Sequence, residues 1–150
     1  MLACSKTISK RRSGGQASSE FAASLMLIIP LAIIGIYVIA EGVQAYLIYC
    51  TVKQASATAA RKFACAYTLD PDHAKARWEE ICCLQEYPGL INSYKQFELI
   101  DVSETAIPPT VTIKATYQPD QYGCRHFPEP DLLNLGRYFS ISAQTTEKLD

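Results

Sequence analysis

The sequence predicts an α+β membrane protein. A single-pass transmembrane long N-terminal helix extends outside the membrane and is followed by a small domain with one more helix and a three-stranded antiparallel sheet. Three observations lead there. Residues 21 to 40 carry no charge, and at about 1.5 Å per residue they span roughly 30 Å as a helix, the hydrocarbon thickness of a bilayer. After Glu41 no helix breaker occurs before Asp70-Pro71. Beyond that point come stretches in which apolar and polar residues alternate, as half-buried strands require.

The elements follow in order. Residues 1 to 15 form a polar leader, and its Ser13-Gly14-Gly15 is a poor helix former expected to stay extended and accessible. Residues 16 to 41 are the transmembrane helix. Pro30 falls within it, and membrane helices tolerate such a proline with a local kink because neighbouring groups re-satisfy the freed carbonyl. Residues 42 to 69 continue the helix outside the membrane, where Ala45, Tyr49, Val52, Ser56, Ala59, Phe63 and Ala66 make one stripe of apolar and small side chains. The distal half of the stripe is to be covered by another helix or by the protein's own C-terminal domain; the proximal half has nothing of its own to cover it.

Residues 70 to 150 are the small α+β domain. Asp70-Pro71-Asp72 reads as an N-cap with proline at the first helical position, opening a second helix that ends before Tyr87-Pro88-Gly89. Ala74, Trp78, Ile81 and Cys82 share its inner face. Strands are expected at 97 to 104 and 110 to 117, separated by Pro108-Pro109, and in the second of them Val111, Ile113, Ala115 and Tyr117 alternate with polar residues. A loop around Tyr122-Gly123-Cys124 and a Leu132-Leu133-Asn134-Leu135 turn lead into a last strand from 138 to about 147.

Charge orients the chain. Lys6, Lys10, Arg11 and Arg12 precede the span without an acidic residue among them, whereas Glu41 follows it, so the positive-inside rule puts the N-terminus in the cytoplasm and the last hundred or so residues outside. A net charge of −1 argues against a nucleic-acid partner, because the densest basic cluster lies beside the membrane and not on a folded face. Six cysteines suit an oxidising compartment. Cys65, Cys82, Cys83 and Cys124 are the disulfide candidates, since a domain of this size commonly needs covalent staples. A bond between adjacent residues is strained, so Cys82 and Cys83 are each expected to pair elsewhere, with Cys65 and Cys124 in either order. Cys50, on the helix just outside the membrane, is left as a free thiol or for an intermolecular bond.

The inventory for catalysis is thin. His73 and His126 fit no nucleophile or metal spacing, the glycines form no phosphate loop, and the vicinal Cys82-Cys83 is not a C-x-x-C motif. No enzyme activity, catalytic residue, metal or cofactor is expected. Met1-Leu2-Ala3-Cys4 has the look of a lipobox but no signal precedes it. Val43-Gln44-Ala45 resembles a signal-peptidase site, yet the apolar run before it exceeds the roughly 7 to 15 residues of a signal peptide's core.

Gly15, followed by Gln16-Ala17-Ser18-Ser19-Glu20-Phe21 and an apolar helix, resembles the processing site of type IV pilin-like proteins. In these a prepilin peptidase cuts after the glycine and glutamate becomes the fifth mature residue, as Glu20 would here. The wider pattern is Arg11-Arg12, a glycine pair, Glu20-Phe21-Ala22, Pro30, Glu41-Gly42 and Ala59-Ala60-Arg61. It is similar to the TadE-like minor pseudopilins of tight-adherence (type IVb, Flp-type) pilus systems, over roughly residues 11 to 66. Phe21 stands where related pilins often carry tyrosine, and Ser19 where they often carry valine. The resemblance implies cleavage between Gly15 and Gln16 and an assembly role for Glu20 and Phe21. It implies as partners the prepilin peptidase, other minor pseudopilins, the major pilin and the inner-membrane assembly platform, and as location the cytoplasmic membrane, with the C-terminal domain periplasmic or extracellular. It also gives Glu20 a reason to stand at the mouth of an apolar run. The α-amino group freed on Gln16 can compensate a carboxylate of a neighbouring subunit, which unpaired near lipid costs up to about a few kcal/mol. The competing reading is a periplasmic binding module that uses the span only as a tether.

Overall fold

The structure, a computed structural model, describes residues 13 to 83, 87 to 127 and 136 to 149, with residues 13 to 18 and 137 described as backbone alone. The fold is α+β: a long apolar N-terminal helix followed by a three-stranded antiparallel sheet packed on the helix's distal part. In chain order the elements are α1 (Ser13–Leu69), α2 (Pro71–Ala76), α3 (Trp78–Cys82), β1 (Phe97–Ser103), β2 (Thr110–Tyr117), α4 (Pro119–Tyr122) and β3 (Ile141–Lys148). The chain divides into two compact units, Met1–Ala40 and Glu41–Asp150. The outer part of α1 therefore belongs with the sheet.

α1 runs 57 residues and passes Pro30 without ending. Its start differs from expectation: Ser13, Gly14 and Gly15 are helical, not extended. Each residue added to an existing helix gains a hydrogen bond without a new nucleation step, so a glycine disfavoured by only about 1 kcal/mol can be carried along at its end. α1 stops at Leu69. The next residue, Asp70, has an extended backbone, and its carboxylate accepts from the amides of Asp72 and His73 at 3.1 and 3.2 Å, capping α2 with Pro71 at the first position. The expected second helix is broken at Arg77, which is the C-cap of α2 and leads into α3. The Arg77 guanidinium then donates to the Glu80 carboxylate at 2.6 and 2.7 Å. That pairing holds the arginine above and the glutamate below their ordinary pKa values.

The sheet has the order β1-β2-β3, both pairs antiparallel. In central β2 the alternation expected from the sequence is realised: Val111, Ile113, Ala115 and Tyr117 are buried, the residues between them less so. β1 reads Phe-Glu-Leu-Ile-Asp-Val-Ser, a pattern whose period of two fails after Leu99. A bulge resolves it. Leu99 pairs with Ile113 and Asp101 with Thr112, so Ile100 is the extra residue, half exposed, and Val102 returns to the inner face opposite Val111. β3 begins at Ile141, three residues later than expected, because Gly136–Tyr138 forms a 3-10 turn. The expected Leu132-Leu133-Asn134-Leu135 turn lies outside the described residues.

The inner face of the sheet packs on α1. Buried positions on α1 are Ile48, Val52, Ala55, Ser56, Ala59, Ala60, Phe63, Ala64 and Tyr67. The expected stripe had the axis through Val52, Ser56, Ala59 and Phe63, but Tyr49 is exposed, and the buried face is a broader band, as a sheet demands in place of a single helix. Small residues let the strands approach: the Ser56 hydroxyl shares a 2.7 Å hydrogen bond with that of Thr145 on β3. Phe63 is wholly buried, its ring centroid 5.6 Å from that of Tyr67 and 5.5 Å from that of Trp78, the latter edge to face. The Tyr67 hydroxyl donates to the Glu104 carboxylate at the end of the β1 side, which raises the phenol's pKa.

A buried glutamine closes the loops at one end of the sheet. Gln96 Oε1 accepts from the amides of Asn92 and Ser93 at 2.6 and 3.0 Å, while Nε2 donates to the carbonyls of Leu90 and Thr116 at 2.9 and 3.2 Å. Ser93 and Gln96 form a capping box around a short 3-10 turn. Tyr117 reaches the same region and donates to the Arg125 carbonyl at 2.7 Å. Gly89 and Gly123, with φ of 84° and 65°, make turns that need the left-handed region.

The cysteines correct an expectation. Cys50, Cys65, Cys82, Cys83 and Cys124 are all free thiols, and no disulfide occurs among the described residues. Cys65 and Cys83 are exposed, whereas Cys82 and Cys124 are buried. Cys124 is engaged as a thiol, donating to the Leu90 carbonyl at 3.2 Å and accepting from Gln96 Nε2 at 3.3 Å. Burial pushes the Cys82 thiol up to about 12 and raises that of Cys124. The staple argument counted only the chain after α1. In the structure the outer half of α1 supplies nearly half of the core, and a larger buried core lessens the need for covalent help.

Candidate functional site

The candidate site is the inner part of α1. Within this helix Phe21, every large apolar side chain from Met26 to Ile36, Val38 and Ile39 show more than half of their surface, for example Phe21 at 66% and Met26 at 79%. From Ser19 onward α1 is long and apolar enough to cross a membrane, with a mean hydropathy of 2.5 in its best window and none of that window buried. A helix apolar all round and uncovered by its own chain needs an apolar solvent or apolar neighbours. One such helix near the N-terminus is a membrane anchor or a signal segment.

Gly15 and Gln16, the expected processing residues, lie in the first turn of α1. Glu20 follows one turn later and is exposed, at the entry to the apolar run. Its carbonyl accepts a hydrogen bond from the Ser24 hydroxyl at 2.9 Å. Such a bond from a serine to the carbonyl four residues back satisfies the hydroxyl within the helix, which suits a segment that meets no water. Phe21 begins the exposed apolar surface directly after Glu20. Gly35 and Gly42 have nothing within 4 Å of where a side chain would start, so both leave bare backbone on the surface of α1 at which another helix could approach closely.

The disulfide candidates do not come together as a site. Cys65 lies by Lys62, Arg77 and Glu80 in a shallow groove, while Cys82 and Cys83 lie with Glu79, Ile91 and Tyr94 in a different one. Among the described residues no three His, Cys, Asp or Glu side chains converge to hold a metal ion.

Sequence reasoning overlooked two features. One is Gln96, whose signal was the spacing Ser93-x-x-Gln96 of a capping box. The other is a groove at the start of the outer unit, formed where Glu41, Gln44, Ala45 and Ile48 of α1 meet Phe127, Tyr138 and Phe139. Its aromatic residues come from segments without regular periodicity, so no pattern in the sequence joins them to α1. The architecture, an apolar N-terminal helix carrying a small antiparallel sheet, is pilin-like. No family model, curated protein or solved structure matches the chain.

Proposed function

We propose that the protein is a minor pseudopilin of a tight-adherence type pilus, inserted in the cytoplasmic membrane with its N-terminus inside and processed after Gly15. The observation that carries this reading is the division of labour along α1. Its distal half is covered by the sheet, and its proximal half is an uncovered apolar surface preceded by a single carboxylate, Glu20. A tether needs only hydrophobicity. A filament subunit needs in addition a helix that can leave lipid for the company of other helices, and a polar contact that sets their register. Glu20 supplies the second when paired with the Gln16 amine of a neighbour, because a charge at the edge of hydrocarbon favours the state in which it is compensated. Gly35 and Gly42 favour the first. The reading assigns the chain no catalysis; its partners are the prepilin peptidase, the other pilins of the system and the assembly platform.

The test joins processing to assembly. Intact mass of protein recovered from membranes should correspond to a chain beginning at Gln16, and deletion of the peptidase should restore the leader. In a deletion strain complemented at matched expression, Glu20→Ala should insert and be processed yet support no surface pili, and Glu20→Asp should support some. Normal piliation by processed Glu20→Ala overturns the assembly role. An unprocessed wild-type chain in cells with active peptidase makes the span a tether, and a mature N-terminus at Tyr46 makes it a secretory signal.

A further inference from the structure

The groove at the start of the outer unit combines three properties. It has a volume of about 420 Å3, and its walls are mainly apolar: Ala45 and Ile48 of α1, with Phe127, Tyr138 and Phe139 opposite. The charge it presents, among the described residues that line it, is the Glu41 carboxylate. Its one amide is Gln44, whose Oε1 is buried and accepts no hydrogen bond from the described residues. A buried acceptor left unsatisfied is penalised by its lost hydration, so a rotation of the Gln44 amide that brings Oε1 to a donor in the groove is favoured.

We propose that this groove holds a phospholipid with a primary ammonium headgroup, phosphatidylethanolamine, taken from the bilayer that α1 spans. Position supports it first. Glu41 is the first charged residue after the uncharged run, so the groove begins where hydrocarbon gives way to headgroups. Tyr138, 81% exposed, and its neighbour Phe139 then stand at the level where membrane proteins place aromatic side chains. Charge supports it next. A carboxylate facing the groove disfavours an anionic headgroup and attracts a cation, and Gln44 Oε1 needs an N–H donor. A primary ammonium is a cation with three N–H donors, whereas a trimethylated choline has the charge and none. The apolar walls then receive the glycerol and upper acyl segments.

The inference rests on the membrane-spanning part of the proposed function, not on cleavage or filament assembly. The full-length chain is reconstituted in vesicles of equal phosphatidylethanolamine and phosphatidylcholine with matched acyl chains, then released in mild detergent for native mass spectrometry. Phosphatidylethanolamine should be retained over phosphatidylcholine by about fivefold, the size of one partly solvated hydrogen bond to a charged group. The preference should shrink stepwise as mono- and dimethylated phosphatidylethanolamine replace the parent lipid, a series that leaves the protein unaltered. Glu41→Gln and Gln44→Leu should each bring the ratio toward one, and Ala45→Trp should abolish retention. Equal retention of the two lipids by the wild type overturns the proposal, as does preference for phosphatidylglycerol. Two chains without lipid, dispersed to one by Ala45→Trp, would give the groove to a second copy and likewise overturn it. If carbonate extracts the chain from the vesicles, the spanning reading itself fails; insertion without headgroup preference removes only the lipid site.

Discussion

Phe63→Ala should cost the outer unit about 3–5 kcal/mol, the usual range for deleting a fully buried phenylalanine. The ring is wholly buried, against Tyr67 of α1 and Trp78 of α3, so its transfer from water contributes about 2–3 kcal/mol. Its contacts with Tyr67 at 5.6 Å and with Trp78 at 5.5 Å add about 0.5–1.5 kcal/mol each, partly counted in the transfer. Ala59 and Ala60, one turn earlier on α1, are wholly buried and too small to fill the resulting cavity. Trp78 is the sole tryptophan of the chain and touches the deleted ring, so its fluorescence reports the loss without labels. The assay is urea unfolding of the full-length chain in mild detergent, with helicity of the apolar segment followed separately by circular dichroism. Phe63→Leu should cost under about 1.5 kcal/mol, and Tyr49→Ala, on the exposed side of α1, within about 0.5 kcal/mol. A loss below about 1.5 kcal/mol for Phe63→Ala, or an equal loss for Tyr49→Ala, would refute the packing of α1 described here.

Gln96→Leu should destabilise by about 2–4 kcal/mol, since two amides and two carbonyls lose their partner at once; a midpoint within error of wild type would mean those groups are satisfied otherwise. Alkylation of the native chain followed by peptide mapping should modify Cys65 and Cys83 rapidly, and Cys82 and Cys124 only on unfolding; a native disulfide joining any two of the four would contradict the free thiols of the structure. Burial holds the Tyr117 phenol, ordinarily at 10.0, and the Cys82 thiol, ordinarily at 9.0, up to about 12. The unfolded chain therefore releases both protons first. Their contribution is complete below pH 9 and is lost as pH rises toward 12. The Tm read from Trp78 fluorescence should fall over that window, and a flat profile would show that neither group is desolvated.

The apolar run, its single preceding carboxylate and the basic residues before it needed no structure to be read, because the capacity to enter a membrane depends on composition along a contiguous stretch. The same holds for the Asp70-Pro71 cap and for the alternation in β2, which rest on neighbours within a few residues. Other features depended on partners distant in the chain. The bulge at Ile100 exists so that Val102 can meet Val111, and the band of α1 that is buried was set by the width of the sheet lying on it, which is why Tyr49 was wrongly counted inward and Tyr67 missed. The glycine pair at the start of α1 was misread because its own propensity was weighed without the long helix it extends. The cysteines show the limit most plainly. Their number and spacing argued for staples, yet whether two thiols bond depends on where the folded backbone puts them. Here it leaves Cys65 and Cys83 on the surface and engages Cys124 with Leu90 and Gln96. The sequence by itself determined a long apolar helix with a carboxylate at its mouth and the strands of a small domain. Only the tertiary structure decided which face of that helix the domain covers, the state of its thiols and the groove beside Glu41, because each of these is made by side chains that packing, not adjacency in the chain, brings together.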